Sequence, residues 1–207
     1  VLFSKNDIVI YESNNKRTNI KVKNIVIATG SEVASLPGIN IDEKNIVSST
    51  GALSFEKVPK KLAVIGGGYI GLEMGSVWSR LGSEVTVIEY LDYITPGMDR
   101  EISNEFQKIL TKQGIKFKMG SKVVSVKNNG NLVSIKYNNV KDLKEEILEV
   151  DKVLVSVGRK PYTEGLNLDK IGVKKDNKGR IEVNENLQTT VNNIYAIGDV
   201  IKGPMLA

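Results

Sequence analysis

The chain contains no cysteine and no histidine. Without cysteine it has no disulfide framework, and without both residue types it has no Cys/His zinc site. The commonest pairs of nucleophile and base are excluded as well, because they use these residues. No apolar run approaches the ~18 residues that a membrane-spanning helix requires. We therefore expect no metal site and no membrane partner.

The chain also lacks a large excess of charge of either sign. The 29 Lys and Arg residues stand against 24 Asp and Glu, for a net charge of +5, and only 6% of residues are aromatic. The basic residues are spread along the chain and form no stripe with interleaved aromatic residues, the pattern typical of nucleic-acid-binding proteins. We expect a lysine-rich solvated surface and no nucleic-acid partner.

The first residues carry no visible targeting signal. The 207-residue chain begins at Val1 without an initiator methionine and opens directly in strand-like sequence. No signal peptide is recognisable there. We expect the chain to be a piece of a longer protein.

What the chain does contain is a glycine-rich turn within residues 61–73. A short apolar strand leads into Gly66, Gly68 and Gly71 at the spacing G-x-G-x-x-G, and a helix follows. The first glycine permits a sharp turn, the second leaves room for a pyrophosphate, and the third lets the helix pack close to the strand. The first helical N–H groups would face the phosphates. The pattern predicts a dinucleotide site; the alternative is a tight strand–helix turn and nothing more.

An acidic residue stands where such a site has its ribose acceptor. A second apolar strand, residues 84–89, ends in Glu89, 18 residues after Gly71. A carboxylate here accepts hydrogen bonds from the adenosine ribose. It would repel the additional phosphate of NADP, and no Arg or Lys follows until Arg100. Both facts favour NAD. The alternative for Glu89 is an ordinary solvated strand end.

The spacing of apolar residues predicts two helices in this region. The first covers residues 69–81 and the second about 99–113, and a short strand follows at 115–118. These elements make a β-α-β-α-β half of a doubly wound fold. The predicted apolar faces are Ile70, Met74, Val77, Trp78 and Leu81 on the first helix, and Ile102, Phe106, Ile109 and Leu110 on the second.

From Lys122 the apolar period falls to two. This predicts an antiparallel meander up to residue 150, with a hairpin turn at 128–131. Residues 151–158 then form a buried strand that returns to the parallel sheet.

Two further apolar strands end in turns of small residues, at 28–31 and 196–199. The first of them, over 24–28, is apolar throughout, which predicts burial on both faces. Ligands of open α/β sheets lie beyond the carboxyl ends of the strands. The two turns are therefore candidates for a second nucleotide site.

Four motifs together resemble the pyridine nucleotide-disulfide oxidoreductase family: GGGYIGLE at 66–73, ATGS at 28–31, VGRKP at 157–161 and AIGD at 196–199. The resemblance covers nearly the whole chain and is weakest at 1–20 and 138–150. It implies an α/β fold, with a Rossmann-like NAD-binding domain of parallel sheet plus antiparallel β-meander, flanked by parts of an FAD-binding domain. The implied bounds are 1–57 for the end of the FAD domain and a connector, 58–160 for the NAD domain, and 161–207 for a central segment returning to the FAD domain.

The resemblance implies two cofactors, NAD and FAD, and an oxidoreductase. Residues 75–82 and 195–207 are most similar to the family members that oxidise protein-bound dihydrolipoamide to lipoamide through an active-site disulfide, with NAD⁺ as acceptor. The implied partners are lipoyl domains of 2-oxo-acid dehydrogenase complexes and, in the full-length enzyme, a second copy in a homodimer. The implied location is the mitochondrial matrix or a plastid in a eukaryote, and the cytoplasm otherwise.

The resemblance also assigns flavin-binding residues. Asp199 would bind the ribitol chain of FAD, which suits a carboxylate because ribitol carries hydroxyl donors. The turn Thr29, Gly30 and Ser31 would lie near the adenosine. The residues lining the flavin would be Met205, Leu206 and Ala207.

On the nicotinamide side, Glu73 would lie at the nicotinamide end of the cleft, and Val123 and Gly158 would touch NAD. A plain core valine is the alternative for Val123. Arg159 either caps a turn or meets a phosphate. The whole NAD-binding set is Gly66, Gly68, Tyr69, Ile70, Gly71, Glu73, Glu89, Val123 and Gly158.

The chain departs from the family pattern in its catalytic residues. The redox disulfide needs two cysteines and the proton transfer uses a His–Glu pair, whereas neither cysteine nor histidine occurs here. The first G-x-G-x-x-G, which would precede Thr29, is absent too. We expect no catalytic residue in this chain and no activity from it alone. The open alternatives are an NADH oxidase or another disulfide reductase of the family, and an NAD-binding module without chemistry.

Overall fold

The structure is a computed structural model that describes residues 2–5, 8–13 and 16–205. The helices are α1 (Ser49–Ala52), α2 (Tyr69–Arg80) and α3 (Arg100–Lys112), and 3-10 turns lie at Leu168–Ile171 and Gly198–Val200. The strands are β1 (Leu2–Lys5), β2 (Ile8–Ser13), β3 (Lys16–Lys21), β4 (Ile25–Ile27), β5 (Ser31–Val33), β6 (Ile46–Val47), β7 (Lys61–Ile65), β8 (Glu84–Ile88), β9 (Lys116–Lys118), β10 (Ser121–Asn128), β11 (Val133–Asn139), β12 (Glu145–Val150), β13 (Lys152–Val155), β14 (Arg159–Pro161) and β15 (Ile194–Ala196).

The chain divides into two compact units. The larger unit is Val33–Gly158, and the smaller unit consists of Val1–Glu32 together with Arg159–Ala207. Strand β6 and helix α1, which the sequence analysis counted with the connector, therefore belong to the larger unit. The assignment of the units to NAD-binding and FAD-binding domains stays a prediction.

The larger unit is built on a five-stranded parallel sheet in the order β6–β13–β7–β8–β9. Alternate side chains of β7 point to opposite faces, so Leu62 and Val64 enter one core cluster while Ala63 and Ile65 enter another. Helices α2 and α3 contribute to the first cluster, and the antiparallel meander β10–β11–β12 contributes to the second. Because both faces are covered, the three central strands β13, β7 and β8 are almost continuously apolar after their first residue. The predicted α/β fold class, with a parallel sheet and an antiparallel meander, is confirmed.

Helix α2 packs only partly on the predicted face. Trp78 is buried as predicted and Met74 is half-buried against the core, but Val77 and Leu81 are 47% and 55% exposed. The other buried residues of the helix are Gly71, Leu72 and Gly75. Two glycines lie on the buried line because the helix approaches the sheet closely, and apolar periodicity does not register residues without a side chain.

Helix α3 shows the same kind of difference. Asp99 caps it, accepting hydrogen bonds from the backbone N–H groups of Glu101 and Ile102. Leu110 is buried as predicted, together with Ser103. The remaining predicted face is exposed, with Ile102 at 58%, Phe106 at 37% and Ile109 at 51%.

The smaller unit contains the parallel pair β4–β15 and the antiparallel sheet β1–β2–β3. Ile25 and Ile27 of β4 are buried in its core with Ile194 and Ala196 of β15. The prediction that this strand is buried on both faces is wrong, because Val26 is 58% exposed.

Candidate nucleotide-binding sites

The glycine turn between β7 and α2 has the geometry that its sequence predicts. Gly66 adopts φ +106°, a conformation that favours glycine, and its N–H donates to the carbonyl of Ile88 at 2.9 Å. A Cβ at Gly66 would lie 2.5 Å from the backbone oxygen of Ser156. Only glycine fits this position.

Gly71 brings the helix close to the strand. A Cβ there would meet the carbonyl oxygen of Gly66, the hydroxyl of Ser156 at 2.5 Å and Val64 Cγ1 at 3.0 Å. Two of these neighbours belong to the glycine turn and to the strand beneath the helix. The close approach is the packing role that the third glycine of the motif serves.

Gly68 stands in a different environment. It is the N-cap residue of α2, its φ of −79° suits any residue, and no side chain caps the helix. A Cβ at Gly68 would meet nothing within 4 Å. The first helical bond runs from Leu72 N to Gly68 O at 3.0 Å, so the N–H groups of Tyr69 and Ile70 lack intrahelical partners. An open, uncapped helix start of this kind suits an anionic group.

The turn lies where the strand order changes direction. From β7 the chain proceeds outward to β8 and β9, and β13 later pairs with the opposite edge of β7. Ligands of open α/β sheets bind beyond the carboxyl ends of strands at such a point. Gly158 follows β13 with φ +125° and is exposed, and a Cβ there would meet nothing within 4 Å. The glycine turn and Gly158 therefore follow neighbouring strands at the same edge.

Glu89 follows β8 but is not a solvated strand end. Its side chain is 8% exposed. One carboxylate oxygen accepts the N–H of Gly67 at 2.6 Å, and the other accepts the N–H of Leu91 at 2.8 Å. A carboxylate has about four acceptor sites, so capacity for ribose hydroxyls remains. Glu89 thus links the glycine turn to the segment after β8.

Two residues of this arrangement escaped the sequence analysis. Gly67 donates to Glu89, and its carbonyl accepts the N–H of Thr95 at 2.8 Å. A Cβ at Gly67 would lie 3.2 Å from Glu89 Oε2 and 3.3 Å from Ile94 Cγ2. The unbroken run Gly66-Gly67-Gly68 was the feature of the sequence that could have indicated a role for Gly67. Ser156, which donates to the Ile65 carbonyl at 3.1 Å, had no signal.

Arg100, the first basic residue after Glu89, is engaged within its own segment. Its guanidinium lies 3.1 Å from the Asp92 carboxylate and 4.0 Å from the centroid of the Tyr93 ring. Both contacts are made to residues of the segment that follows β8.

The two other candidates on this unit differ in exposure. Glu73 is exposed on α2. Val123 is half-buried on β10 and packs against the core cluster of the meander face. This packing agrees with the core alternative for Val123 and leaves its contact with NAD a prediction.

In the smaller unit the two candidate turns meet. Strands β4 and β15 are parallel neighbours, with Ile27 opposite Ala196, so their following turns lie at the same edge. Ser31 Oγ donates to Asp199 Oδ2 at 2.6 Å. The predicted position of Ser31 is near the adenosine and that of Asp199 at the ribitol, whereas the two side chains are in direct contact.

The rest of the first turn is held by the backbone of Tyr162. Thr29 Oγ1 donates to the Tyr162 carbonyl at 2.6 Å, and the Gly30 carbonyl accepts the Tyr162 N–H at 2.9 Å. Gly30 has φ +70°, and a Cβ there would meet nothing within 4 Å. Met205 is half-buried. Leu206 and Ala207 lie outside the described residues.

Arg159 is hydrogen-bonded to Ser31, the last residue of the first candidate turn, which agrees with the turn-cap alternative. Its Nε donates to Ser31 Oγ and its Nη2 to the Ser31 carbonyl, both at 2.6 Å. Arg159, Ser31 and Asp199 therefore form one polar cluster, which we call the Arg–Ser–Asp cluster.

No cluster of carboxylates able to hold a metal ion occurs in the described part of the chain. Across residues 2–5, 8–13 and 16–205, no helix is long and apolar enough to cross a membrane.

The chain is similar to proteins of one family. The family model described as pyridine nucleotide-disulphide oxidoreductase matches residues 2–207. The chain is 56% identical to leghemoglobin reductase of Glycine max over 206 residues, which are 100% of this chain and 39% of that protein. It is 57% identical to mitochondrial dihydrolipoyl dehydrogenase of Pisum sativum over 204 residues, 99% of this chain and 41% of that one.

Two further matches agree. Dihydrolipoamide dehydrogenase of Chaetomium thermophilum is 58% identical over 191 residues, 92% of this chain and 38% of that protein. Among solved structures, the Cu(II) complex of the HOCl-induced flavoprotein disulfide reductase RclA from Escherichia coli matches with a TM-score of 0.88 at 30% identity, over 98% of this chain and 45% of that one. The chain thus spans about two fifths of the length of the curated relatives it matches.

Proposed function

The chain belongs to the pyridine nucleotide-disulphide oxidoreductase family, and we propose that it is part of an NAD-linked flavoprotein that oxidises dihydrolipoamide to lipoamide. Family membership implies FAD and a pyridine nucleotide as cofactors. The larger unit would bind NAD, and the smaller unit would bind part of FAD. The proposed dihydrolipoamide substrate is supported by identities of 57% and 58% to relatives named for that activity.

One observation carries the nucleotide part of the proposal. The N-terminus of α2 is uncapped, and the space that a Cβ of Gly68 would enter is empty. A pyrophosphate there would accept hydrogen bonds from the first helical N–H groups and would lie at the positive end of the helix dipole. Gly66 and Gly71 keep the turn and the helix in place for this approach.

NAD rather than NADP is supported by the acidic segment after β8. Glu89 would accept hydrogen bonds from the ribose hydroxyls and repel a 2′-phosphate. Arg100, the first arginine after Glu89, is paired with Asp92.

The residues of the smaller unit fit the flavin. Asp199 Oδ2 is bound by Ser31, and no hydrogen bond to Oδ1 occurs among the described residues. That oxygen would accept a hydroxyl of the ribitol chain. The small turns around Gly30 and Gly198, where added Cβ atoms would meet nothing within 4 Å, leave the edge of the strand pair open to a ligand.

Bound FAD would supply the transfer of electrons between a dithiol and NAD⁺. The residues of this chain bind and orient: α2 and Glu89 hold the dinucleotide, and Asp199 holds the ribitol. Because the chain has no cysteine and no histidine, the disulfide and the base of the proposed reaction have to be supplied by residues outside these 207.

The test uses the complete protein that contains this chain. Purified protein is assayed for bound flavin and for reduction of NAD⁺ by dihydrolipoamide, with NADP⁺ as the competing acceptor. We expect flavin-dependent NAD⁺ reduction that far exceeds NADP⁺ reduction. Gly68→Val should abolish NAD⁺ reduction while flavin stays bound, because Gly68 belongs to the other unit.

Other outcomes would redirect the proposal. Bound flavin with NADH oxidation but no turnover of dihydrolipoamide would favour an oxidase or another disulfide reductase. NADH binding without flavin would favour a binding module without chemistry.

The proposed partners and location follow from the same activity. Lipoyl domains of 2-oxo-acid dehydrogenase complexes would present the substrate, and a second copy would form a homodimer. Relatives from Pisum sativum and Caenorhabditis elegans are named as mitochondrial. For a eukaryotic source we propose the mitochondrial matrix or a plastid, and for a bacterial source the cytoplasm.

A further inference from the structure

We propose that Arg159 is a positioning residue for the flavin-binding carboxylate and acts on Asp199 through the hydroxyl of Ser31. The inference rests on the proposed binding of FAD by the smaller unit. It concerns a residue to which the sequence analysis gave only two open alternatives, a turn cap or a phosphate contact.

The hydrogen bonds of the Arg–Ser–Asp cluster form a chain that runs from Arg159 through Ser31 to Asp199. Nε of Arg159 donates to Ser31 Oγ, and Nη2 donates to the Ser31 carbonyl, both at 2.6 Å. The guanidinium therefore holds both the side chain and the backbone of one residue. No hydrogen bond or ion pair between Arg159 and a carboxylate occurs among the described residues, so its link to Asp199 is indirect.

The chemistry of the hydroxyl gives the cluster a direction. A serine hydroxyl has one proton to donate and can accept hydrogen bonds as well. Arg159 only donates and occupies an acceptor position of Ser31. The single proton of Ser31 is then directed to Asp199 Oδ2, 2.6 Å away. This bond fixes the rotation of the carboxylate and leaves Oδ1 for the ribitol hydroxyl.

Arginine suits this position better than lysine. A guanidinium presents several N–H donors in a rigid plane, whereas an ammonium is a compact charge on a flexible stem. Two simultaneous bonds of 2.6 Å to Oγ and O of the same residue require that plane. Arg159→Lys should therefore restore only part of the function lost in Arg159→Met.

The test is a double-mutant cycle on the affinity of the complete apoprotein for FAD, measured by quenching of flavin fluorescence. We expect Arg159→Met and Ser31→Ala each to weaken FAD about tenfold, the size expected for loss of a hydrogen bond that involves a charged group. If Arg159 acts through Ser31, the double variant should bind FAD no more weakly than Ser31→Ala alone. Arg159→Lys should fall between the unaltered protein and Arg159→Met.

The cycle separates three failures. Multiplied losses in the double variant would overturn the proposal, because they would show that Arg159 acts on the flavin without Ser31, for instance at a phosphate. Equal FAD affinity of Arg159→Met and the unaltered protein would also overturn it. If the unaltered apoprotein does not bind FAD, the proposed flavin site fails and the role of Arg159 with it. The Tm of each apoprotein identifies a variant that has lost its fold. If Arg159→Met does not fold, the FAD affinities of the two single variants Arg159→Lys and Ser31→Ala test the proposal instead.

Discussion

The two compact units differ in how completely their parallel strands are covered. In the five-stranded sheet the neighbouring residues Val153 and Leu154 of β13 point to opposite faces, and both are 0% exposed. In the two-stranded pair the neighbours Val26 and Ile27 of β4 are 58% and 2% exposed. The larger unit closes its own core on both faces, whereas the smaller one does so on one face.

The tight packing of the larger unit is tested most severely at two glycines of α2. Gly71→Ala would force a Cβ against the Gly66 carbonyl and the Ser156 hydroxyl, and we expect it to cost about 3 kcal/mol of unfolding free energy. Gly75→Ala is the matched control. Its Cβ would lie 3.4 Å from Val85 Cγ1, an ordinary contact, so the gain in helix propensity should stabilise by about 0.5–1 kcal/mol. Urea unfolding of both variants checks the prediction, and similar effects would contradict it.

An alanine scan of neighbouring residues tests the comparison itself. We expect Val153→Ala and Leu154→Ala each to cost about 2–4 kcal/mol, because both leave cavities. In the smaller unit Ile27→Ala should cost a similar amount, while Val26→Ala should change stability by no more than about 0.5 kcal/mol in this chain. The measurement is denaturant unfolding of the 207-residue chain. A loss at Val26 as large as that at Ile27 would mean that its face is covered.

A substitution at Gly68 should affect nucleotide binding without affecting stability. A valine there meets open space in the protein but would occupy the approach of the pyrophosphate. We expect Gly68→Val to lower NADH affinity about a hundredfold at an unchanged unfolding midpoint. Titration with NADH measures the first quantity and thermal unfolding the second. Retained affinity in the folded variant would count against the whole site.

Glu89 and Glu84 stand at opposite ends of the segment 84–89 and allow a matched comparison. In Glu89→Gln the amide would turn an N–H₂ group toward the N–H of Gly67 or Leu91, and the charge that repels a 2′-phosphate would be gone. We expect NADH affinity to fall about tenfold and the preference over NADPH to shrink. Glu84→Gln breaks only an exposed pair with Lys116 and should leave both unchanged. Competitive titration with NADH and NADPH measures both quantities. Equal affinities and equal preferences in the two variants would contradict the proposed role of Glu89 in binding the ribose.

The smallest effect concerns the segment that leads into β6. Burial alone would raise the pKa of Asp42, but the backbone N–H groups of Ile46, Lys44 and Asn45 and the Asn128 side chain outweigh it and lower the pKa to about 2. A lowered pKa stabilises the fold above the ordinary value of 3.8, and this stability is lost as the pH falls toward 2.

We expect Asp42→Asn to cost about 1 kcal/mol at pH 7, less than the full pKa shift implies because the carboxylate is partly exposed. The difference should shrink as the pH falls toward 2, where the acid is half protonated, and should disappear below that value, where the acid is neutral. Urea unfolding at several pH values gives the comparison. A difference that does not change with pH would contradict the assigned pKa.

Local features were predictable from the sequence, and features that depend on neighbours were not. The strand, turn and helix over residues 61–80 lie where the spacing of Gly66, Gly68 and Gly71 predicts them, because backbone conformation and close approach leave a glycine signature. The apolar stripe of α3 was recognised, but its exposure was not, since periodicity reports that Ile102 and Phe106 share a face and not what covers it.

The contacts around the candidate sites show the same limit. The sequence predicts a carboxylate after β8, yet nothing in it indicates that Glu89 would bind Gly67, 22 residues earlier. The bonds of Arg159 to Ser31 span 128 residues and depend on the pairing of β5 with β14. Such pairings follow from sheet topology, which a single chain's pattern specifies only coarsely.

The position of β13 also sets an order of assembly. This strand lies between β6 and β7, pairing Leu154 with Val47 on one side and with Val64 on the other, although it is synthesised after both. During translation one edge of β7 therefore stays unpaired until about 90 further residues have emerged. An unpaired apolar strand edge such as this edge of β7 is able to pair with a strand of another chain. Nascent chains that end before residue 152 therefore carry β7 with one unpaired edge.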